Sequence, residues 1–221
     1  IAGLLLPQSG TITYDETKSL NTSVGEREKD LLRSIQLIFR NPDASLNPRH
    51  TVAEILAQPL KLYFGLGGDE LRERSVALLE QVRLRADYLE RLPSQLSGGE
   101  KQRVAVARAF AAEPKLVLCD EVTSALDVSV QAAVLDLLIQ LQVDQGTTYV
   151  FVSHDLAVVR ALADQGAVVS IDTRNAGVMT GAANAGAKLI NDVAALTRPG
   201  AMKAAADSGL PVVLIHSDAD P

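Results

Sequence analysis

Asp120 and Glu121 stand side by side at the end of an apolar run, Leu116 to Cys119. A strand of that composition delivers its last residues to the carboxyl edge of a parallel sheet, where α/β proteins gather ligands. There an Asp can hold a divalent cation, directly or through water, and a Glu can take a proton from an attacking water. Upstream, Ser97, Gly98, Gly99 and Glu100 open a helical stretch. Glycines in that place leave backbone N–H groups bare at the positive end of a helix, which favours a phosphate or another oxyanion. A plain reading stands beside each feature: Ser97 is an ordinary N-cap, and the two acids are solvated groups at a strand end. His154 closes a third such run, where a His is as readily a satisfied structural side chain as a catalytic one. Asp172, Asn191 and His216 end three later runs, although Asp172 and the neighbouring Asp192 equally suit helix caps.

The elements needed to position these groups are visible as an alternation of apolar runs and helical stretches. Gly10–Asp15 alternates like a half-exposed strand, Asp15–Glu28 reads as loop, and Ser34–Phe39 reads as a buried strand ended by the turn formers of Arg40–His50. Asp69–Leu84 predicts an amphipathic helix, Lys101–Ala112 a second, and Val128–Gln142 a third with Gly146 as its C-cap. Lys115–Asp120 and Thr147–His154 read as buried parallel strands, the second followed by a helix over Asp155–Asp164. Gly166–Asp172, Lys188–Asp192 and Pro211–His216 then read as strands. Arg174–Ala187 and Pro199–Gly209 read as helices, the last with Pro near its first turn. The alternation predicts an α/β fold, a mainly parallel sheet with flanking helices.

Bulk composition narrows the function class. The 221 residues suffice for one large domain, or for one domain and part of another. With 47% apolar residues, 4% aromatics and no Trp, the core must be built from Leu, Val, Ile and Ala. A net charge of −6, from 21 Lys+Arg against 27 Asp+Glu, argues against a nucleic-acid binder, which shows a basic face. A single cysteine, Cys119, excludes an internal disulfide and fits a reducing compartment. No apolar run nears the ~18 residues that cross a bilayer, so no direct membrane insertion is expected. Ile1–Leu6 is too short for a signal peptide and lacks its basic start. The chain opens on Ile1 and closes on Pro221 just after a strand-like run, and it reads as a fragment.

In order and spacing, Leu96–Glu100, Leu116–Glu121, Ser124–Asp127 and Val150–Asp155 resemble the signature motif, Walker B, D-loop and H-loop of ABC transporter ATPases. Ser34–Leu60 is similar to the Q-loop region of the oligopeptide, dipeptide and nickel importer subgroup. Ile1–Asp15 is similar to the helix end and strand that follow Walker A. The resemblance covers roughly residues 1–165 and implies a truncated P-loop NTPase core that uses ATP and Mg²⁺. By that resemblance Asp120 holds the metal, Glu121 is the general base, and His154 contacts the γ-phosphate. Ser97, Gly98, Gly99 and Glu100 face the nucleotide of a second ATPase subunit, Asp127 crosses the dimer interface, and Arg40 stands at the nucleotide-binding Q-loop position. Membrane permease subunits are the further implied partners, with the protein cytoplasmic and peripheral on the inner face of the membrane. Three departures stand out. Glu100 replaces the usual Gln. Arg40 replaces the Q-loop Gln, and a guanidinium has only donors to offer where an amide has an oxygen. No G-x-x-x-x-G-K-[ST] occurs in the 221 residues, so the loop that cradles the β- and γ-phosphates is missing from them.

After Gln165 the helices turn rich in Ala and Gly and lose their long charged residues. Val168–Met179 and Ala185–His216 resemble about the third to fifth strands of dihydropteroate synthase, a (β/α)₈ barrel whose site is built at strand ends. That resemblance implies that Asp172 and Asn191 hydrogen-bond a pterin ring. The ending departs from it, with Ser217 in place of a Met and Ala219 in place of a Gly. The chain therefore reads as two unrelated pieces: residues 1–165, a partial ABC ATPase domain, and residues 166–221, a β/α segment of a TIM barrel. The expected function is that of a fragment of an ATP-hydrolysing subunit of a peptide-type importer, inactive as given. The alternatives are a transferase of folate biosynthesis related to dihydropteroate synthase, and a non-functional chimera. A strand–helix–strand unit pairs in parallel with a right-handed crossover. Ala167–Ile171 is thus expected to pair with Tyr149–Ser153 and to make one hybrid sheet.

Overall fold

The computed structural model describes residues 1–153 and 155–215, and they fall into two units that divide after Ser153. His154 and residues 216–221 lie outside the described residues, and with them the expectations placed on His154, His216, Ser217 and Ala219.

The first unit opens with a two-stranded antiparallel ribbon: β1 (Thr13–Tyr14) lies in the stretch expected to be a strand, and β2 (Lys18–Ser19) in the stretch expected to be loop. Arg27, only 8% exposed, fastens the start of the chain by donating to the carbonyls of Ile1 (2.8 Å), Leu20 (3.0 Å) and Thr22 (3.3 Å). A short helix α1 (Lys29–Ser34) leads into β3 (Ile35–Ile38). Helix α2 (Val52–Phe64) starts on a capping box, Thr51 with Glu54, and stops on Gly65 at φ 69°. Helix α3 (Gly68–Gln81) and helix α4 (Gly98–Phe110) follow, then β4 (Leu116–Asp120), α5 (Val128–Gln145) and β5 (Thr148–Val152). Gly146 ends α5 in the left-handed conformation, as the sequence predicts.

The strands form a parallel sheet in the order β3-β4-β5, with Ile38 opposite Cys119 and Asp120 opposite Val152. One core joins this sheet to α2, α3, α4 and α5 through Leu56, Leu60, Leu79, Val104, Val117 and Leu138. Each such side chain contributes roughly 1.5–3 kcal/mol on burial. Phe110 is the bulkiest buried side chain and meets the Tyr149 ring edge-on at 6.4 Å. Small residues Ala105, Ala107 and Ala109 let α4 lie in the middle of this core.

The second unit comprises α6 (Leu156–Asp164), β6 (Ser170–Asp172), α7 (Ala176–Asn184), β7 (Leu189–Asp192), α8 (Ala201–Ser208) and β8 (Val212–Leu214). Its strands make a separate parallel sheet, order β6-β7-β8, over a small core of Met179, Ile190, Ala201, Ala204 and Ala205.

Two expectations are corrected. Strand β6 pairs with β7, Ser170 against Leu189, and not with β5; no hybrid sheet forms among the described residues. The physical reason is length: β6 keeps only three residues, Val168 is 82% exposed, and Ile190 on β7 offers a fully buried neighbour. Strand β5 is an edge strand, not a buried one, with Val150 41% and Val152 53% exposed. Pro199 lies next to the α8 cap, Gly200, near the first turn as expected. The α/β class itself holds, with parallel sheets and flanking helices.

Candidate functional site

The carboxyl ends of β3 and β4 bring together what the sequence separates. Arg40 follows β3 and Glu121 follows β4, and the guanidinium meets the Glu121 carboxylate at 2.9 Å. The Arg40 side chain is 57% exposed and that of Glu121 24% exposed, so water screens the pair only in part. Glu121 sits at φ 49°, in the left-handed region that costs a side-chain-bearing residue energy. Three bonds hold it there. Its N–H donates to Val152 O (2.9 Å), and its carbonyl accepts from the Ser124 N–H (3.0 Å) and the Ser124 hydroxyl (3.0 Å). Asp120, one residue back, is exposed at the strand end.

Asp120 offers one carboxylate, and no group of three His, Cys, Asp or Glu side chains able to hold a metal gathers among the described residues. That suits Mg²⁺ only in its usual mode with nucleotides, one or two carboxylates plus substrate phosphates. Bound so, Mg²⁺ would neutralise charge on those phosphates.

Helix α4 supplies the second part of the site. Ser97 caps it in a reciprocal box: the Ser97 N–H donates to Glu100 Oε2 (2.7 Å), and the Glu100 N–H donates to Ser97 Oγ (3.3 Å). Glu100 also accepts the Tyr88 hydroxyl at 2.5 Å. That bond, then the backbone bond from Ser97, hold its carboxyl below the ordinary carboxylate range. The two glycines differ in role. Gly98 is exposed, and a Cβ there would meet only Leu126 at 3.9 Å; a Cβ on Gly99 would stand 2.4 Å from Val130 Cγ1 on α5. Gly99 thus serves packing as well as bare backbone. Asp127 caps α5, accepting from the Val130 N–H (3.0 Å) and the Ser129 hydroxyl (2.7 Å), and those bonds lower its pKa.

Sequence reasoning missed the residues that tie these parts together. Along α4, Lys101 pairs with Asp43 at 2.7 Å, Gln102 donates to Phe39 O at 3.4 Å, and Arg108 donates to Ser45 O. They grip both flanks of Arg40. Gln102 is fully buried, and its Oε1 has no partner among the described residues. The signal was weak: Gln102 stands among Glu100, Lys101 and Arg103 in a polar first half of the helix.

In the second unit Asp172 and Asn191 meet as neighbours on β6 and β7, Asn191 Nδ2 donating to Asp172 Oδ2 at 3.0 Å. Asn191 Oδ1 is buried without a partner among the described residues. Beside them lies an open hollow of about 510 Å³ lined by Thr173, Arg174, Asn175, Ala176, Arg198 and Pro199. Asp192 does not cap a helix, as one reading had it; it holds the turn after β7 through the N–H groups of Ala194 (2.7 Å) and Leu196 (3.1 Å). A second hollow, about 450 Å³, lies in the first unit against α3, lined by Phe64, Leu66, Glu70, Glu73, Arg74, Ala77 and Glu113 and clear of the strand-end acids.

Known proteins bear on both units. Residues 1–124 match the ABC transporter family, and residues 152–221 match the pterin binding enzyme family. The di/tripeptide transport ATP-binding protein DppF of Pseudomonas aeruginosa is 45% identical over 158 residues, which is 72% of this chain and 49% of that protein. The oligopeptide transport ATP-binding protein OppF of Escherichia coli is 49% identical over 132 residues, 59% of this chain and 40% of that protein. The chain thus spans about half or less of the length of these curated relatives. A solved dimeric ATP-binding cassette, MJ0796 bound to ADP and Pi, superposes with a TM-score of 0.63 at 34% identity, covering 72% of this chain and 69% of that one. Among the described residues no helix is long and apolar enough to cross a membrane. The match over residues 1–124 and this likeness of fold show that the chain belongs to the ABC transporter family.

Proposed function

We propose that the first unit is the part of a peptide-importer ATPase that activates water and engages a second nucleotide. The observation that carries this is Glu121: a carboxylate held at a strained strand end beside Asp120, on the sheet whose neighbouring helix carries the Ser97–Glu100 motif. In this reading Glu121 takes the proton of the attacking water, and Asp120 provides the carboxylate for Mg²⁺. Ser97, Gly98 and Gly99 present α4 to the nucleotide of a second ATPase subunit, and Asp127 stands at that contact. His154 is proposed as the γ-phosphate contact from the family motif alone. The peptide-type importers similar to this chain support a permease partner and a place at the inner face of a membrane. Catalysis of this kind is positioning plus charge stabilisation, and the phosphate cradle is a large share of it. The 221 residues contain no G-x-x-x-x-G-K-[ST], so this chain alone turns over no ATP.

The test is phosphate release from Mg-ATP by two proteins: the chain as it stands, and the chain with a strand–P-loop–helix segment joined ahead of Ile1. Turnover is expected only in the second, and it should fall at least a hundredfold on Glu121→Gln, the usual scale for general-base loss. Turnover in the second that ignores Glu121→Gln overturns the reading.

A second reading applies to residues 166–221, which we infer to be a pterin-site segment of a barrel joined to the first unit. The paired Asp172 and Asn191, with Asn191 Oδ1 left to accept from a ligand N–H, favour it. A barrel site draws on strand ends around a whole ring, and three strands are described here. Complementation of a folate-pathway deletion by this chain would show synthase activity; none is expected.

A further inference from the structure

The start of α4 is built around a carboxylate that spends both of its oxygens within the chain. Glu100 Oε1 accepts the Tyr88 hydroxyl at 2.5 Å, and Oε2 accepts the Ser97 N–H at 2.7 Å. Tyr88 is itself fastened. It stands on a short 3₁₀ turn, Ala86–Glu90, whose Leu89 is 1% exposed and belongs to the core of the first unit. The Arg91 guanidinium lies over the Tyr88 ring, 3.7 Å from its centre, and is tied to Asp87 at 2.9 Å. The Arg91 carbonyl accepts from the Val52 N–H at 2.9 Å, which joins the turn to the first residue of α2. A phenol held in this way is a fixed donor aimed at Glu100. The bond to Glu100 first, and burial second, raise its pKa above the ordinary 10.0, so it keeps the proton it donates. Arg91 also sets a positive charge beside the carboxylate.

A glutamate in this place needs such a restraint, and a neutral amide does not. The N–H groups of Gly98 and Gly99 open α4, where no carbonyl lies a turn earlier to accept from them. The positive end of a helix draws a nearby anion, and Glu100 is an anion within that first turn. Left loose, its carboxylate would settle over those N–H groups or repel a phosphate that approaches them. We propose that Tyr88 and Glu100 are positioning residues: Tyr88 keeps the Glu100 carboxylate folded back as the cap of Ser97, so that the chain's own anion does not compete for the turn that engages a second nucleotide. The proposal rests on the reading of α4 given above. It gives Glu100 a part in the site without a contact to the nucleotide, and it explains why a carboxylate is tolerated there.

The experiment titrates the ¹⁵N-labelled full chain with inorganic pyrophosphate in neutral, magnesium-free buffer and follows the Gly98 and Gly99 amides. The parent is compared with Tyr88→Phe, Glu100→Gln and the double variant. Tyr88→Phe keeps the ring under Arg91 and removes one hydroxyl from a half-buried side chain, so the fold stays intact. It should weaken pyrophosphate binding at these amides about tenfold, the lower end of the range for one hydrogen bond to a charged group. In the Glu100→Gln background, where no carboxylate is left to restrain, the same substitution should change affinity by less than about twofold. A tyrosine that merely packs would cost the same in both backgrounds. Equal losses therefore overturn the proposal, as does full affinity in Tyr88→Phe, or pyrophosphate that leaves both glycine amides in place. Binding, not turnover, is the readout. A P-loop fusion that hydrolyses no ATP would sink the parent reading of Glu121 while this coupling stands. Glu121-dependent turnover beside equal losses in the two backgrounds would sink this proposal alone.

Discussion

Gly98 and Gly99 are adjacent and chemically identical, yet the structure assigns them opposite responses to one added carbon. A Cβ on Gly99 would lie 2.4 Å from Val130 Cγ1, about 1 Å inside ordinary van der Waals contact; on Gly98 the nearest atom is Leu126 Cδ2 at 3.9 Å. Val130 stands in the first turn of α5 and is β-branched, with one strongly preferred χ1 in a helix, so it cannot turn aside cheaply. Overpacking of this kind costs about 1–3 kcal/mol. The helix preference of Ala over Gly returns up to about 1 kcal/mol at either position. Gly98→Ala is therefore expected to be neutral or stabilising by up to about 1 kcal/mol, and Gly99→Ala to destabilise by about 1–2 kcal/mol. Urea unfolding followed by far-ultraviolet circular dichroism measures both, with the first-unit transition resolved from that of the second unit. Val130→Ala should be costly alone but should erase the penalty of Gly99→Ala when the two are combined. Equal stabilities of the two glycine variants, or a penalty that survives Val130→Ala, would refute the packing argument and return both glycines to a purely backbone role.

Glu100 links stability to pH. Its carboxyl is held below its ordinary value of 4.5 by the Tyr88 hydroxyl first and the Ser97 backbone second, so its contribution is complete above that value. It is lost as pH falls through the lower folded value. Denaturation midpoints should drop on acidification below about pH 4.5, and more shallowly in Tyr88→Phe; identical pH profiles would exclude this cause. Cys119 is 1% exposed, and burial pushes its thiol up to about 12. It should resist a disulfide reagent at pH 8 in the folded chain and react on unfolding; labelling at the same rate in both states would contradict its placement in the core.

The strand ends were legible because each lies at the end of a short apolar run bounded by turn formers; Leu116–Asp120 needed no tertiary information. The signature helix was legible because Ser97 and Glu100 make a local capping box, complete within four residues. What stayed hidden was set by long-range packing. Nothing near Arg40 in sequence announces Glu121, which arrives only when β3 and β4 pair. The exposure of β5 could not be read from Thr148–Val152, because burial depends on which neighbours are present, not on the strand's own composition. Helix α2 is obscured in the sequence because Pro59 interrupts its pattern. The capping box of Thr51 and Glu54 and the stop at Gly65 were the better guides. The pairing of β6 went astray for a related reason: local alternation specifies a parallel strand but not its partner.

The backbone of Glu121 has an evolutionary consequence. Glycine adopts φ 49° with no steric penalty, whereas a side-chain-bearing residue pays about 1–2 kcal/mol there. A partly exposed ion pair such as Arg40–Glu121 returns about 0–1 kcal/mol. On stability alone, this backbone conformation favours glycine, so only demand on the carboxylate keeps a glutamate there. A glutamate there is a clock on use: the longer a lineage carries this piece of chain without employing it, the more that site should relax to Gly or Asn while the buried residues around Val117 and Cys119 stay fixed by packing.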